Sequence, residues 1–126
     1  MPMTVKDLLA AANAAVPRIT AEEAKALAAS PDTLLVDVRD TAEVMASGKA
    51  RGALPISRGL IEFRADPDHP MHNPALAKAK TLIVYCASGG RSALAGKTLR
   101  DMGYADVRNL GQFKDWVEAG GEVERS

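Results

Sequence analysis

The chain has 126 residues, 47% of them apolar and 25% charged, with sixteen Lys and Arg against sixteen Asp and Glu. This fits one packed domain and excludes a mainly disordered chain, and zero net charge leaves no global field for nucleic acid or an anionic membrane. No apolar run approaches the roughly 20 residues of a membrane-crossing helix, and the lone cysteine, Cys86, excludes an intrachain disulfide and a cysteine-built zinc or iron–sulfur centre.

The chain begins with an amphipathic helix, because Val5, Leu8, Leu9, Ala12 and Val16 recur at helical spacing. Lys6, Asp7 and Asn13 interrupt it, so it does not have the unbroken apolar core of an export signal. Together with a free thiol, which suits a reducing compartment, this gives the expectation of a cytoplasmic protein. Residues 1–17 are read as this helix, and 18–126 as the single domain.

Arg18-Ile19 is a short extended piece after Pro17. Thr20 and Glu23 form a capping box that starts a helix over 21–29. After the turn Ser30-Pro31-Asp32, residues 33–38 form an apolar run broken only by Asp37 and predict a strand buried on both faces. Residues 41–46 predict a short helix stopped by Gly48, and 53–56 a second extended stretch. Three of the seven prolines lie in 65–74, a surface loop, and Asn73-Pro74 caps a short helix to about residue 79. Residues 81–85 are the clearest strand. A helix follows over 91–102, with Leu94, Ala95, Thr98, Leu99 and Met102 on one face and Gly103 as its stop. A strand over 107–110 and a helix over 113–119, stopped by Gly120-Gly121, complete the order. Alternating helices and buried strands predict an α/β fold with a parallel sheet covered on both faces. Ligands in such sheets bind at the carboxyl ends of strands, where Cys86 sits.

Cys86 is followed by Ala87, Ser88, Gly89 and Gly90, and then by Arg91 and Ser92 at the start of a helix. Glycines let successive N–H groups converge into a concave nest, and a helix start adds unpaired N–H groups and a positive dipole end. A thiol held there is expected to ionise easily, and Arg91 adds a permanent charge. The chemistry implied is nucleophilic catalysis by a thiolate in an anion cradle. It requires the loop amides to face the sulfur and a solvent path to reach it. A core cysteine, the bland alternative, has no need of such a nest.

Cys86 to Arg91 resembles the six-residue active-site loop of the rhodanese superfamily. Residues 34–39 (LLVDVR), with Glu43 four positions on, resemble its upstream signature, and Gly111, Phe113 and Trp116 stand where its C-terminal end has them. Residues 48–55 match the second signature only in part. Lys49 and Arg51 replace the usual His and Pro, so no role of that His carries over. The resemblance covers about residues 18–124. It implies a three-layer α/β domain with a central, mainly parallel sheet of about five strands. It also implies transfer of a sulfane sulfur through a Cys86 persulfide, held by Ala87, Ser88, Gly89, Gly90, Arg91 and Ser92, with no metal or organic cofactor. The implied partners are a small donor such as thiosulfate or a persulfide, and a thiol, cyanide or protein acceptor; homodimerisation is left open, and neither nucleic acid nor membrane is expected.

Two rivals remain. Ala87 stands where several active members carry a charged or polar residue, which suits a low-turnover sulfur carrier or protein-binding module. A Cys-dependent phosphatase or arsenate reductase is the other, but related phosphatases have one more residue between Cys and Arg, and usually a His where this chain has Tyr85. Around the loop, the buried carboxylate of Asp37 needs a partner, either Arg39 or a loop N–H, while Arg39 and Glu43 are spaced for an ion pair beside the site. Lys49, Arg51, Arg58 and Arg64 form either a basic rim for an anionic donor or ordinary solvated charge, and Arg58 is expected nearest the loop. His69 and His72, with Asp66 and Asp68, fit no common metal motif, and Gly96-Lys97-Thr98 falls inside a helix, without the glycine that a nucleotide loop needs.

Overall fold

The computed structural model describes residues 2–125. Helix α1 (Val5–Ala15) opens on a Thr4–Asp7 capping box, and α2 (Ala21–Ala28) on the expected Thr20–Glu23 box. Strand β1 (Thr33–Asp37), helix α3 (Thr41–Ser47) and the two-residue strands β2 (Lys49–Ala50) and β3 (Leu54–Pro55) follow. A 3-10 turn at Arg58–Leu60 leads into α4 (Ile61–Ala65), then α5 (Pro74–Lys78), β4 (Thr81–Cys86), α6 (Gly90–Asp101), β5 (Val107–Gln112), α7 (Phe113–Glu118) and β6 (Val123–Glu124).

The main sheet is parallel, in the order β3-β1-β4-β5, and Arg18 makes a parallel bridge to Asn109 that adds a fifth line beside β5. This is the expected three-layer α/β architecture. The apolar runs are continuous because the pleat sends alternate residues into two separate cores. Val36, Val38, Leu82, Val84 and Cys86 face one core, with Val16, Ile61, Leu76 and Leu99. Leu35, Ile83 and Tyr85 face the other, with Ala24, Leu110, Phe113 and Trp116.

Several features differ from expectation. A second sheet pairs β2 with β6 antiparallel, a two-residue match too short to leave a periodic signal. Helix α4 occupies a stretch for which no element was expected. Only the last part of the α1 face is used. Ala12 and Val16 are buried and Leu9 is half-buried, with Val16 packed on Gly96 of α6, whereas Val5 and Leu8 at the start of the helix are exposed. Met102, expected on the buried face of α6, is exposed at its end.

Candidate active site

Cys86 is the last residue of β4, and its neighbour β5 carries a bulge at that point. Val84 pairs with Asn109, but Tyr85 pairs with Gly111 and Cys86 with Gln112. Such an irregularity bends a strand and re-aims its side chains. Gly111 sits at φ +90, and the Arg18 guanidinium lies against it, so close that a β-carbon there would overlap it. The Nε of Arg18 donates to the Leu110 carbonyl at 3.2 Å. The loop then turns at Gly89, with φ +97, which caps α6. Only glycine adopts that geometry without strain.

The turn brings the loop amides onto the sulfur. The Gly89 N–H donates to Cys86 Sγ at 3.0 Å and the Ser92 N–H at 3.4 Å. The Ser92 hydroxyl lies 3.5 Å from the same sulfur. Burial pushes the thiol up, but hydrogen bonds from the Ser92 hydroxyl and from the amides of Ser92, Gly89 and Ser88 outweigh it, and the net shift is downward. The amides therefore face inward, as the nest argument requires. The solvent path is not open: Cys86 has no exposed surface, while Ala87 and Ser88 above it are exposed.

The charged residues are arranged differently from expectation. Arg39 does not pair with Glu43. It closes on Asp37, Nη2 to Oδ2 at 2.7 Å, while its backbone N–H reaches Asp37 Oδ1 at 3.0 Å. Its other donors go to Ser47 Oγ and the Gly48 carbonyl, each at 2.7 Å. Glu43 instead takes both arms of Arg91, at 2.7 and 3.0 Å, and also accepts the Asp40 N–H at 3.0 Å. The donor fork of Arg91 is thus occupied rather than open to an anion. Arg58 is tied to Glu62 and, at 3.2 Å, to Thr98, two turns along α6 from the loop. The basic rim is largely neutralised, because Lys49 pairs with Glu124 and Arg51 with Glu122. Among the described residues no group of His, Cys, Asp and Glu is placed to hold a metal ion, and no helix is long and apolar enough to cross a membrane.

The Arg91 guanidinium, aided by the Asp40 amide, holds the Glu43 carboxyl down to about 2 from its usual 4.5. A carboxyl lowered on folding contributes stability that is complete above pH 4.5 and is lost as pH falls toward about 2. Glu43→Gln is therefore expected to flatten the decline of stability across that window, measured as urea midpoints at a series of acidic pH values. A slope equal to that of the wild type would show that the clamp contributes nothing.

Two further residues, Asn109 and Arg18, lie beside the loop, and the sequence pattern assigns neither of them to the site. Asn109 of β5 is buried and accepts the Ser92 hydroxyl at 2.8 Å. An Asn inside the strand predicted over 107–110 is the signal that could have found it, since an amide buried in a sheet needs partners. Arg18 reaches Gly111 and the edge of Gly89 from a segment far away in sequence, and no local pattern marks it.

A family model described as Rhodanese-like domain matches residues 20–119. The chain is 36% identical over 95 residues to a sulfurtransferase of Allochromatium vinosum, covering 75% of this chain and 80% of that one. Among solved structures, it is similar to a protein of unknown function from Rhodopseudomonas palustris, described as a possible tyrosine phosphatase, with a TM-score of 0.87, 38% identity and coverage of 98% and 99%. It is also similar to the homodimeric polysulfide-sulfur transferase of Wolinella succinogenes, with a TM-score of 0.69, 33% identity and coverage of 96% and 87%.

Proposed function

Because the chain belongs to the rhodanese-like domain family, we propose that it is a sulfurtransferase that carries sulfane sulfur as a persulfide on Cys86. The observation that carries this reading is the convergence of the Gly89 and Ser92 amides on the sulfur. They stabilise a thiolate, and the same donors suit the terminal anion of a persulfide. In the first step the Cys86 thiolate attacks the outer sulfur of thiosulfate. The sulfur–sulfur bond to sulfite breaks, sulfite leaves with the electron pair, and Cys86 holds the extra sulfur. A thiolate or cyanide then attacks that outer sulfur and returns Cys86 as thiolate. No external oxidant or reductant is consumed, and no metal or organic cofactor is called for.

Ala87, Ser88, Gly89, Gly90, Arg91 and Ser92 form the rim in this scheme. Of the two requirements, inward amides and a solvent path, the second is not met in this conformation, so the proposal includes a movement of the exposed Ala87–Ser88 segment that admits the donor to Cys86. Asp37 and Arg39 support the end of β1 beside the loop, and Glu43 fixes Arg91. Arg58 acts at most through α6. The test is incubation with thiosulfate followed by intact mass and by thiocyanate release on addition of cyanide. Added mass of one sulfur atom and release of thiocyanate support the reading, and the absence of both would sink it. A stable persulfide without brisk cyanide turnover would favour the carrier role that Ala87 suggests.

A phosphatase is the second reading, prompted by the description of the Rhodopseudomonas palustris protein. Two observations stand against it. The loop places only four residues between Cys86 and Arg91, which gives a cradle tight for a tetrahedral phosphate, and the Arg91 fork that would grip phosphate is closed on Glu43. Cys86-dependent hydrolysis of a generic aryl phosphate would reverse this ranking. The likeness to the Wolinella homodimer makes a homodimer the first assembly to test, by solution mass.

A further inference from the structure

Ser92 has one hydroxyl proton and three candidate acceptors. Its Oγ lies 2.8 Å from Asn109 Oδ1, 3.1 Å from the Gly89 carbonyl and 3.5 Å from Cys86 Sγ. The Gly89 carbonyl, which also accepts the Ala93 N–H at 3.0 Å, is a fixed main-chain acceptor, whereas the sulfur and the amide are the two partners whose donor and acceptor roles can change. Ser92 and Asn109 are both buried. Asn109 is also fixed by its backbone, its N–H donating to the Pro17 carbonyl at 2.8 Å and its carbonyl accepting the Ile19 N–H at 3.1 Å. The segment after α1 thus holds the amide in place against Ser92.

We propose that Asn109 is a positioning residue for the nucleophile, acting through Ser92 as a reversible hydrogen-bond relay. With the thiol protonated, the S–H donates to Ser92 Oγ and the hydroxyl donates to Asn109 Oδ1. When the sulfur is ionised, or carries a persulfide anion, the hydroxyl turns to donate to sulfur. Its oxygen then accepts from the Asn109 NH2 after the amide rotates. Asparagine suits this role because its side chain offers an acceptor and a donor in nearly the same shape. A carboxylate could serve only the protonated state, and an aliphatic side chain neither.

The other charged groups around the sulfur are already engaged. Arg91 at the start of α6 is clamped by Glu43 of α3, and Asp37 and Arg39 at the end of β1 close on each other. The Arg18 guanidinium lies over Gly111. Among the described residues, none of these hydrogen-bonds the side chain of Ser92 or Asn109.

The inference rests on Cys86 being the reacting sulfur, but its test needs no sulfur donor. Cys86 is the only cysteine, so ultraviolet thiolate absorbance against pH, read against Cys86→Ser, titrates one group. Asn109→Leu is expected to raise the thiol pKa by about 0.5–1 unit, the scale of one hydrogen bond, and Asn109→Asp by more. In a Ser92→Ala background the Asn109→Leu shift is expected to vanish, which a purely structural role would not produce. An Asn109→Leu shift of equal size with and without the Ser92 hydroxyl, or no shift from Asn109→Asp in a protein with an unchanged urea midpoint, would overturn the relay. If wild type fails to load sulfur while this coupling is present, the sulfurtransferase reading falls and the relay stands.

Discussion

Cys86→Ser is expected to take up no sulfur from thiosulfate, and to lower thiocyanate formation at least about 10^4-fold, the scale on which enzymes lose rate with their nucleophile. The two side chains differ by one atom, and a serine oxygen can still accept the Gly89 and Ser92 amides, so the urea midpoint is expected to stay close to that of wild type. The loss is chemical: the cradle eases ionisation of a thiol but leaves an alcohol protonated, and oxygen forms no persulfide. The sign of the pH dependence follows from the same contacts. Burial opposes ionisation of Cys86, but the Ser92 hydroxyl and the loop amides overcome it, so the thiol titrates below its ordinary value of 9.0. Sulfur loading by the wild type is therefore expected to rise with pH through a midpoint below that value and then level off. Loading by Cys86→Ser comparable to that of the wild type would remove the proposed chemistry altogether.

Burial of Cys86 gives that experiment a second use. A preformed cradle lowers the cost of the anion, while the closed rim restricts the donor. Gly89 is held by its N–H on the sulfur and by its carbonyl on Ser92 and Ala93, so opening is expected to fall on the exposed Ala87–Ser88 part of the rim. Loading that levels off at the same rate with thiosulfate and with the smaller hydrogen disulfide would identify rim opening as the limiting step, and a plateau that differs between the donors would exclude it.

The residues that could be read from the chain were those whose causes are local. The strand–Cys–loop–helix unit announces itself through an apolar run, two glycines and a helical pattern, all within a few positions of Cys86. The pairing of Asp37 with Arg39 was one of two partners open to it, since a buried carboxylate needs an adjacent donor. What escaped is tertiary. Glu43 meets Arg91 across 48 positions and leaves Arg39 to Asp37, a choice that helical spacing alone cannot make. Two of the four cations of the would-be basic rim, Lys49 and Arg51, are paired by Glu124 and Glu122 on a C-terminal segment whose return to β2 leaves almost no pattern. Arg18 and Asn109 become neighbours of the loop only when the Arg18 segment is laid beside β5.

Breaking the Asp37–Arg39 pair is expected to be the most destabilising single change near the site. Asp37 is fully buried and Arg39 nearly so, at 4% exposure. Arg39→Met keeps the length of the side chain but strands the carboxylate, and Asp37→Asn weakens the fork from the other side. Removal of one partner of a buried ion pair costs about 3–5 kcal/mol, a large part of the 5–15 kcal/mol or so by which a domain is stable. The Arg39 guanidinium also lies 4.3 Å from the centre of the Phe113 ring and bonds the end of α3 through Ser47 and Gly48. The pair therefore joins β1, α3 and α7 around the end of the strand that precedes the loop. Asp37 is in register with Tyr85, one residue before Cys86. Urea unfolding followed by fluorescence of the single tryptophan, Trp116, measures the loss. Replacing both partners together, Asp37→Leu with Arg39→Met, is expected to recover much of it, because no unpaired charge is left in the core. If Arg39→Met alone shifts stability by less than about 1 kcal/mol, the pair behaves as a surface contact, and the order at the end of β1 that positions Cys86 has to come from the strand hydrogen bonds alone.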